Sequence, residues 1–95
     1  MNSLVEILLS TYNGEEYLGV QLDSILQQDY SNWRLLIRDD GSKDRTLSIL
    51  NEYVQKYPDK ITLLKDNEGN MGYACSYRKL VRQSSAGYVM YCDQD

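Results

Sequence analysis

Leu4-Val5-Glu6-Ile7-Leu8-Leu9 is a nearly unbroken apolar run that stops abruptly at Ser10-Thr11-Tyr12-Asn13-Gly14. Such a run reads as a strand covered on both faces, as happens inside a parallel sheet. A helical pattern follows, so small polar groups gather at the carboxyl end of a buried strand. In open α/β sheets, ligands bind at that end, where the strand order reverses.

The same unit recurs along the chain. Asn13 is a candidate helix cap with Glu16 as its reciprocal partner, and Leu18, Leu22, Ile25 and Leu26 give the helix, about 15–28, one apolar face. Asp29 to Asn32 form a turn cluster, and Trp33 to Arg38 read as a second strand. Gly41 permits a tight turn, Ser42 is a candidate cap, and Asp44 suits the first turn of a second helix carrying Leu47, Leu50, Tyr53, Val54 and Tyr57. Pro58 ends that helix. Residues 61–64 make a short third strand. A third helix, about 73–84, has Tyr77, Leu80, Val81 and Ser84 in register, with Gly87 as its C-cap. Residues 87–92 make a fourth strand. The order βαβαβαβ, with right-handed crossovers, implies an α/β fold with a parallel sheet between two helical layers. A strand order of 3-2-1-4 brings the strand ends at Thr11, Asp40 and Asp93 to one crevice.

Ninety-five residues, 42% hydrophobic and 25% charged, describe one globular domain. The net charge of −4 argues against nucleic acid or anionic lipid as a general partner. No run is long enough to span a membrane. Cys75 and Cys92 are too few for a disulfide framework and read as free, buried thiols in a reducing compartment, hence a cytoplasmic location. The absence of His removes Ser–His and Cys–His catalysis, and any metal needs oxygen ligands.

Four groups are candidates for chemistry. Asp93 and Asp95 flank one residue just after a buried strand, where two carboxylates can approach one hard cation such as Mg²⁺ or Mn²⁺; the plain alternative is a solvated acidic loop. Of Asp39 and Asp40, one can bond its own turn while the other accepts from a ligand N–H. Tyr12 offers an aromatic face, or simple edge packing in a chain with nine Tyr and no Phe. Gly69 and Gly72 match no phosphate-loop fingerprint, yet allow backbone to approach a phosphate. Glu15 and Glu16 read as helix-start acids, and Arg78 and Arg82 as a solvated helix face.

The succession LLSTYNGEEYL, IRDDGSKDRT, LKDNEGNMGYA and GYVMYCDQD resembles the amino-terminal half of family 2 glycosyltransferases with the GT-A fold. The DQD form is similar to bacterial members that build cell-surface polysaccharides, rhamnosyltransferases included. The resemblance implies donor binding from a nucleoside-diphosphate sugar, UDP- or dTDP-linked. Ser10, Thr11 and Tyr12 would cradle the base and Asp40 would accept its ring N–H, while Gly72 is a nucleotide-binding candidate on its backbone freedom alone. Asp93 would touch the ribose, and Asp95, with Asp93, would hold Mg²⁺ or Mn²⁺. It further implies inversion at the anomeric carbon, a glycan or lipid-linked acceptor, and work at the inner face of the cell membrane. The family's base lies beyond Asp95, so the chain reads as an excised donor-binding half that is inactive alone. Two other classes compete: a receiver-like Mg²⁺-binding signalling domain, and a non-catalytic nucleotide-binding module. Receivers place paired acids after the first strand, whereas here the pair follows the second.

Overall fold

The computed structural model describes residues 4–28, 31–66, 68–84 and 88–92, with the backbone alone at Tyr73, Tyr88, Tyr91 and Cys92. Seven elements follow in order: β1 (Val5–Thr11), α1 (Leu18–Leu26), β2 (Trp33–Asp39), α2 (Thr46–Lys56), β3 (Ile61–Leu64), α3 (Tyr73–Gln83) and β4 (Tyr88–Cys92). The four strands form one parallel sheet ordered β3-β2-β1-β4, as expected from the sequence. In register, Leu9 faces Ile37 on one side and Cys92 on the other, and Ile37 faces Leu63.

Strand alternation sorts the core into two layers. Ile7, Leu9, Trp33, Leu35, Ile37 and Ile61 share one face with Leu18 and Leu22 of α1 and Leu50 of α2. Leu8 and Leu36 face the other way, against Tyr77 and Leu80 of α3. Each fully buried Leu or Ile contributes roughly 1.5–3 kcal/mol of transfer free energy. The sheet is therefore covered on both sides, and the chain crosses to the second side between β3 and β4. Ligands of such folds bind beside that reversal, at the carboxyl edge.

Several local expectations are corrected. β1 continues through Ser10 and Thr11, because they remain in register with Arg38 and Asp39. α1 starts at Leu18 after a turn, and Asn13 does not cap it. Asn13 instead takes φ +49 and accepts a bond from the Lys43 amide. α2 starts at Thr46, four residues after Ser42. Asp44 precedes that helix and accepts its first amide, Thr46 N, at 2.9 Å. Leu47 and Val81, expected on packed faces, are exposed. Cys75 is exposed as well, since the neighbouring Ser76 takes the inward position on α3. α2 does stop just before Pro58, which disfavours helical geometry at Tyr57. The expected Gly87 cap and the turn at Asp29 and Tyr30 lie outside the described residues.

Orientation of α2 can be tested directly. Leu50→Ala should cost about 2–5 kcal/mol in denaturant unfolding, whereas Leu47→Ala should change stability by less than about 0.5 kcal/mol. Equal losses at the two positions would contradict the packing described.

Candidate functional site

The polar end of β2 inherits the alternation of its apolar part. Arg38 and Asp40 fall on the Leu36 side, towards α3. Asp39 falls on the Ile37 side, towards α1 and α2. Adjacent acids therefore enter separate networks.

Arg38 is fully buried, and all five of its N–H groups are bonded. Nε and Nη2 grip the two oxygens of Asp66 at 2.9 and 3.1 Å. The remaining bonds run from Nη2 to the Gly69 carbonyl at 2.8 Å, and from Nη1 to Ser76 Oγ at 3.1 Å and Asp40 Oδ1 at 2.5 Å. Burial alone would lower the Arg38 pKa, but its bonds to Asp66 and Asp40 outweigh that and raise it. The Arg38 hydrogen bonds hold the Asp66 carboxyl below its ordinary value, with help from the charges of Arg38 and Lys79. Lys79 in turn pairs with Glu68. Asp40, 4% exposed, also accepts the amides of Met71 at 2.9 Å and Gly72 at 3.1 Å. Gly72 sits at φ +89, a conformation that favours glycine and turns its amide to the carboxylate. The segment between β3 and α3 is thus laced to the end of β2. Ser10 joins the network through a 2.6 Å bond between its hydroxyl and that of Ser76.

On the other face, Asp39 accepts from the hydroxyls of Thr11 at 2.7 Å and Ser42 at 2.6 Å, and from the Ser42 amide at 2.9 Å. The loops after β1 and β2 are then stitched together. Asn13 N donates to Ser42 Oγ and Gly14 N to Thr46 Oγ1, each at 2.8 Å. Glu15 N donates to Asp44 at 3.2 Å. The Thr46 hydroxyl bond is the chief cause that lowers the Asp44 pKa. A cleft of about 480 Å³ opens over the ends of β2 and β3, lined by Asp39, Gly41, Ser42, Leu63, Leu64 and Asp66 among others. Gly41 lies at φ +83, and a Cβ there would come within 3.0 Å of the Asn70 amide nitrogen.

The structure brings three of the residues singled out from sequence, Ser10, Asp40 and Gly72, to one side of the carboxyl edge. Thr11 is fully buried with its hydroxyl directed at Asp39, and Tyr12 is 47% exposed at the tip of its loop. Asp93 and Asp95 lie outside the described residues. They follow Cys92, which is paired with Leu9, one residue before Ser10. Among the described residues no cluster of three His, Cys, Asp or Glu can hold a metal.

Arg38, Asp66 and Ser76 were not singled out from sequence. Arg38 carried a signal: a strand covered on both faces buries its cation, which then requires carboxylate partners. Asp40, two residues on and on the same face, was the local one. Asp66 comes from 28 residues away and carried no such mark.

Two measurements check this network. Removing one partner of a buried ion pair strands the others, so Arg38→Met should cost roughly 3–5 kcal/mol. Asp44 and Asp66 titrate lower in the folded state than the unfolded value of about 3.9. Their contribution is therefore present above that value and lost as pH falls through the folded-state values. Stability should hold from pH 7 to about 5 and decline below about 4, and less steeply in Asp66→Asn. An acid limb unchanged by that substitution would contradict the assignment.

With this geometry in place, likeness to known proteins becomes informative. The model of the family described as glycosyl transferase family 2 matches residues 6–95. The UDP-Glc:alpha-D-GlcNAc-diphosphoundecaprenol beta-1,3-glucosyltransferase WfgD of Escherichia coli is 32% identical over 92 residues, covering 97% of this chain and 35% of the relative. The mannosyltransferase PcManGT of Pyrobaculum calidifontis, solved with GDP-Man and Mn²⁺, superposes with a TM-score of 0.89 at 26% identity, over 100% of this chain and 28% of its own. TarS 1-349 of S. aureus, solved with UDP-GlcNAc, gives 0.77 at 28% identity, over 97% of this chain and 26% of its own. The chain spans about a third of the length of the curated relatives it matches. By its family match, its strand order and the polar edge that the order creates, the chain belongs to glycosyl transferase family 2.

Proposed function

We propose that this chain is the donor-binding half of an inverting glycosyltransferase that takes a sugar from a UDP- or dTDP-sugar to a glycan or lipid-linked acceptor at the cytoplasmic face of a membrane. The observation that carries the reading is Asp40, a carboxylate fixed at the carboxyl edge by two backbone amides and Arg38. Such an acceptor suits the N3–H of uracil or thymine. The shared fold does not choose the base, since structural neighbours hold GDP-Man and UDP-GlcNAc. Side chains must do so. Family membership removes the receiver-like alternative.

Asp93 and Asp95 fit a hard divalent cation by their chemistry: two carboxylates one residue apart, directly after β4. Mg²⁺ or Mn²⁺ held there would neutralise charge on the departing diphosphate. Ser10 and Gly72 flank the Asp40 side of the edge, and Tyr12, 47% exposed, would offer its aromatic face to a planar base. The group that deprotonates the acceptor is expected beyond Asp95.

Titration calorimetry with Mn²⁺ tests the reading. A charge-assisted bond is worth about 1.5–3 kcal/mol, so uridine diphosphate should bind roughly ten- to hundredfold tighter than cytidine diphosphate. Asp40→Ala should flatten that preference, and Asp95→Asn should abolish the gain from Mn²⁺. Equal binding of the two nucleotides by the unaltered chain would overturn the assignment of Asp40.

A further inference from the structure

Asp40 does not offer a whole carboxylate to a ligand. Each carboxylate oxygen accepts about two hydrogen bonds. Oδ1 already takes two, from Arg38 Nη1 at 2.5 Å and the Met71 amide at 2.9 Å. Oδ2 takes one, from the Gly72 amide at 3.1 Å. Among the described residues, one acceptor position remains, and it lies on Oδ2.

Arg38 is not free to vacate Oδ1. Its other N–H groups are held by Asp66, Gly69 and Ser76, and the side chain has no exposure to water. Rotating it away would break several bonds of a buried cation at once.

Bases differ in what they present to such a group. Uracil and thymine present a single N3–H between two carbonyl oxygens. Guanine presents N1–H and its 2-amino group side by side, a pair that fits both oxygens of an open carboxylate. Resting on the assignment of Asp40 to the base made above, we propose that Arg38 is a positioning residue that makes Asp40 a single-donor acceptor and thereby selects uracil or thymine nucleotides against guanine nucleotides. The 2-amino group of guanine would meet a filled oxygen and the guanidinium N–H that fills it, donor against donor. Rejection of this kind acts by leaving the wrong ligand's polar group unpaired.

The test compares uridine, cytidine, guanosine and inosine diphosphates with Mn²⁺, by calorimetry or by displacement of a labelled uridine diphosphate. Inosine keeps N1–H and lacks the 2-amino group. On the unaltered chain, guanosine diphosphate should bind no better than inosine diphosphate, and both at least tenfold more weakly than uridine diphosphate. Guanosine diphosphate binding tenfold tighter than inosine diphosphate would show both oxygens available and overturn the proposal. This arm needs no substitution, so it decides the matter even if variants fold poorly. The second arm uses Arg38→Met with Asp66→Asn, which removes the cation and one of its carboxylates together. In that protein guanosine diphosphate should gain at least fivefold over inosine diphosphate, and the uridine-to-guanosine ratio should fall at least tenfold. A general loosening of the fold would weaken all four ligands alike, so the ratio reports selection. An unchanged ratio in a folded variant overturns the role of Arg38 while leaving Asp40 in place. Equal binding of uridine and cytidine diphosphates overturns the Asp40 assignment itself, and this proposal with it.

Discussion

A guanidinium shut away from water must find every one of its partners inside the protein, and Arg38 does so by gathering two segments distant in sequence onto its own strand end. Asp40 comes from its own strand end, Asp66 and Gly69 from the connection after β3, and Ser76 from α3. Desolvating this charge is expensive, and a buried ion pair is poor evidence of net stabilisation on that account. What it provides is an arrangement with few alternatives. A displaced loop would leave a donor or a carboxylate unpaired in a site of low dielectric, where that is costly. The position of Asp40, of the Met71–Gly72 backbone and of the first turn of α3 all follow from satisfying one cation.

The apolar framework was legible in the sequence because hydrophobic periodicity reports burial directly. Leu8 and Leu9, Leu35 to Ile37, and Leu22 read correctly, and the succession of short apolar runs and helical stripes was enough for the order 3-2-1-4. Helix starts were less legible. Asn13 and Ser42 have the chemistry of helix caps, but their side chains serve bonds between the loops after β1 and β2 instead. Those bonds span about 30 residues of sequence, and local pattern cannot register them. At the site, Asp39 and Asp40 were recognised as a pair with divided duties. The deciding fact, that Asp40 is anchored by backbone from after β3, depends on tertiary contact.

Under the proposed function, the two faces of the sheet do different work at its carboxyl edge. The face towards α1 and α2 uses Thr11, Asp39, Ser42 and Asp44 to fasten the first two loops to each other. The face towards α3 holds Ser10, Asp40 and Gly72 in place through Ser76 and Arg38. One network fixes the frame, and the other presents the acceptor to the base. The first is built from short side chains and backbone amides, which lose little entropy on being fixed, whereas the second fixes the long Arg38 side chain and offsets that loss with five hydrogen bonds.

Because Asp39 and Asp40 owe their separate neighbours to strand parity alone, the count of residues along β2 matters as much as their identity. Removing one residue between Trp33 and Arg38 would carry every following side chain to the opposite face. Arg38 would then turn into the apolar layer beneath α1 and α2, and the two carboxylates would exchange surroundings while the DDGS string stayed intact. A motif search would still recognise such a chain, although the chemistry behind the motif would be gone.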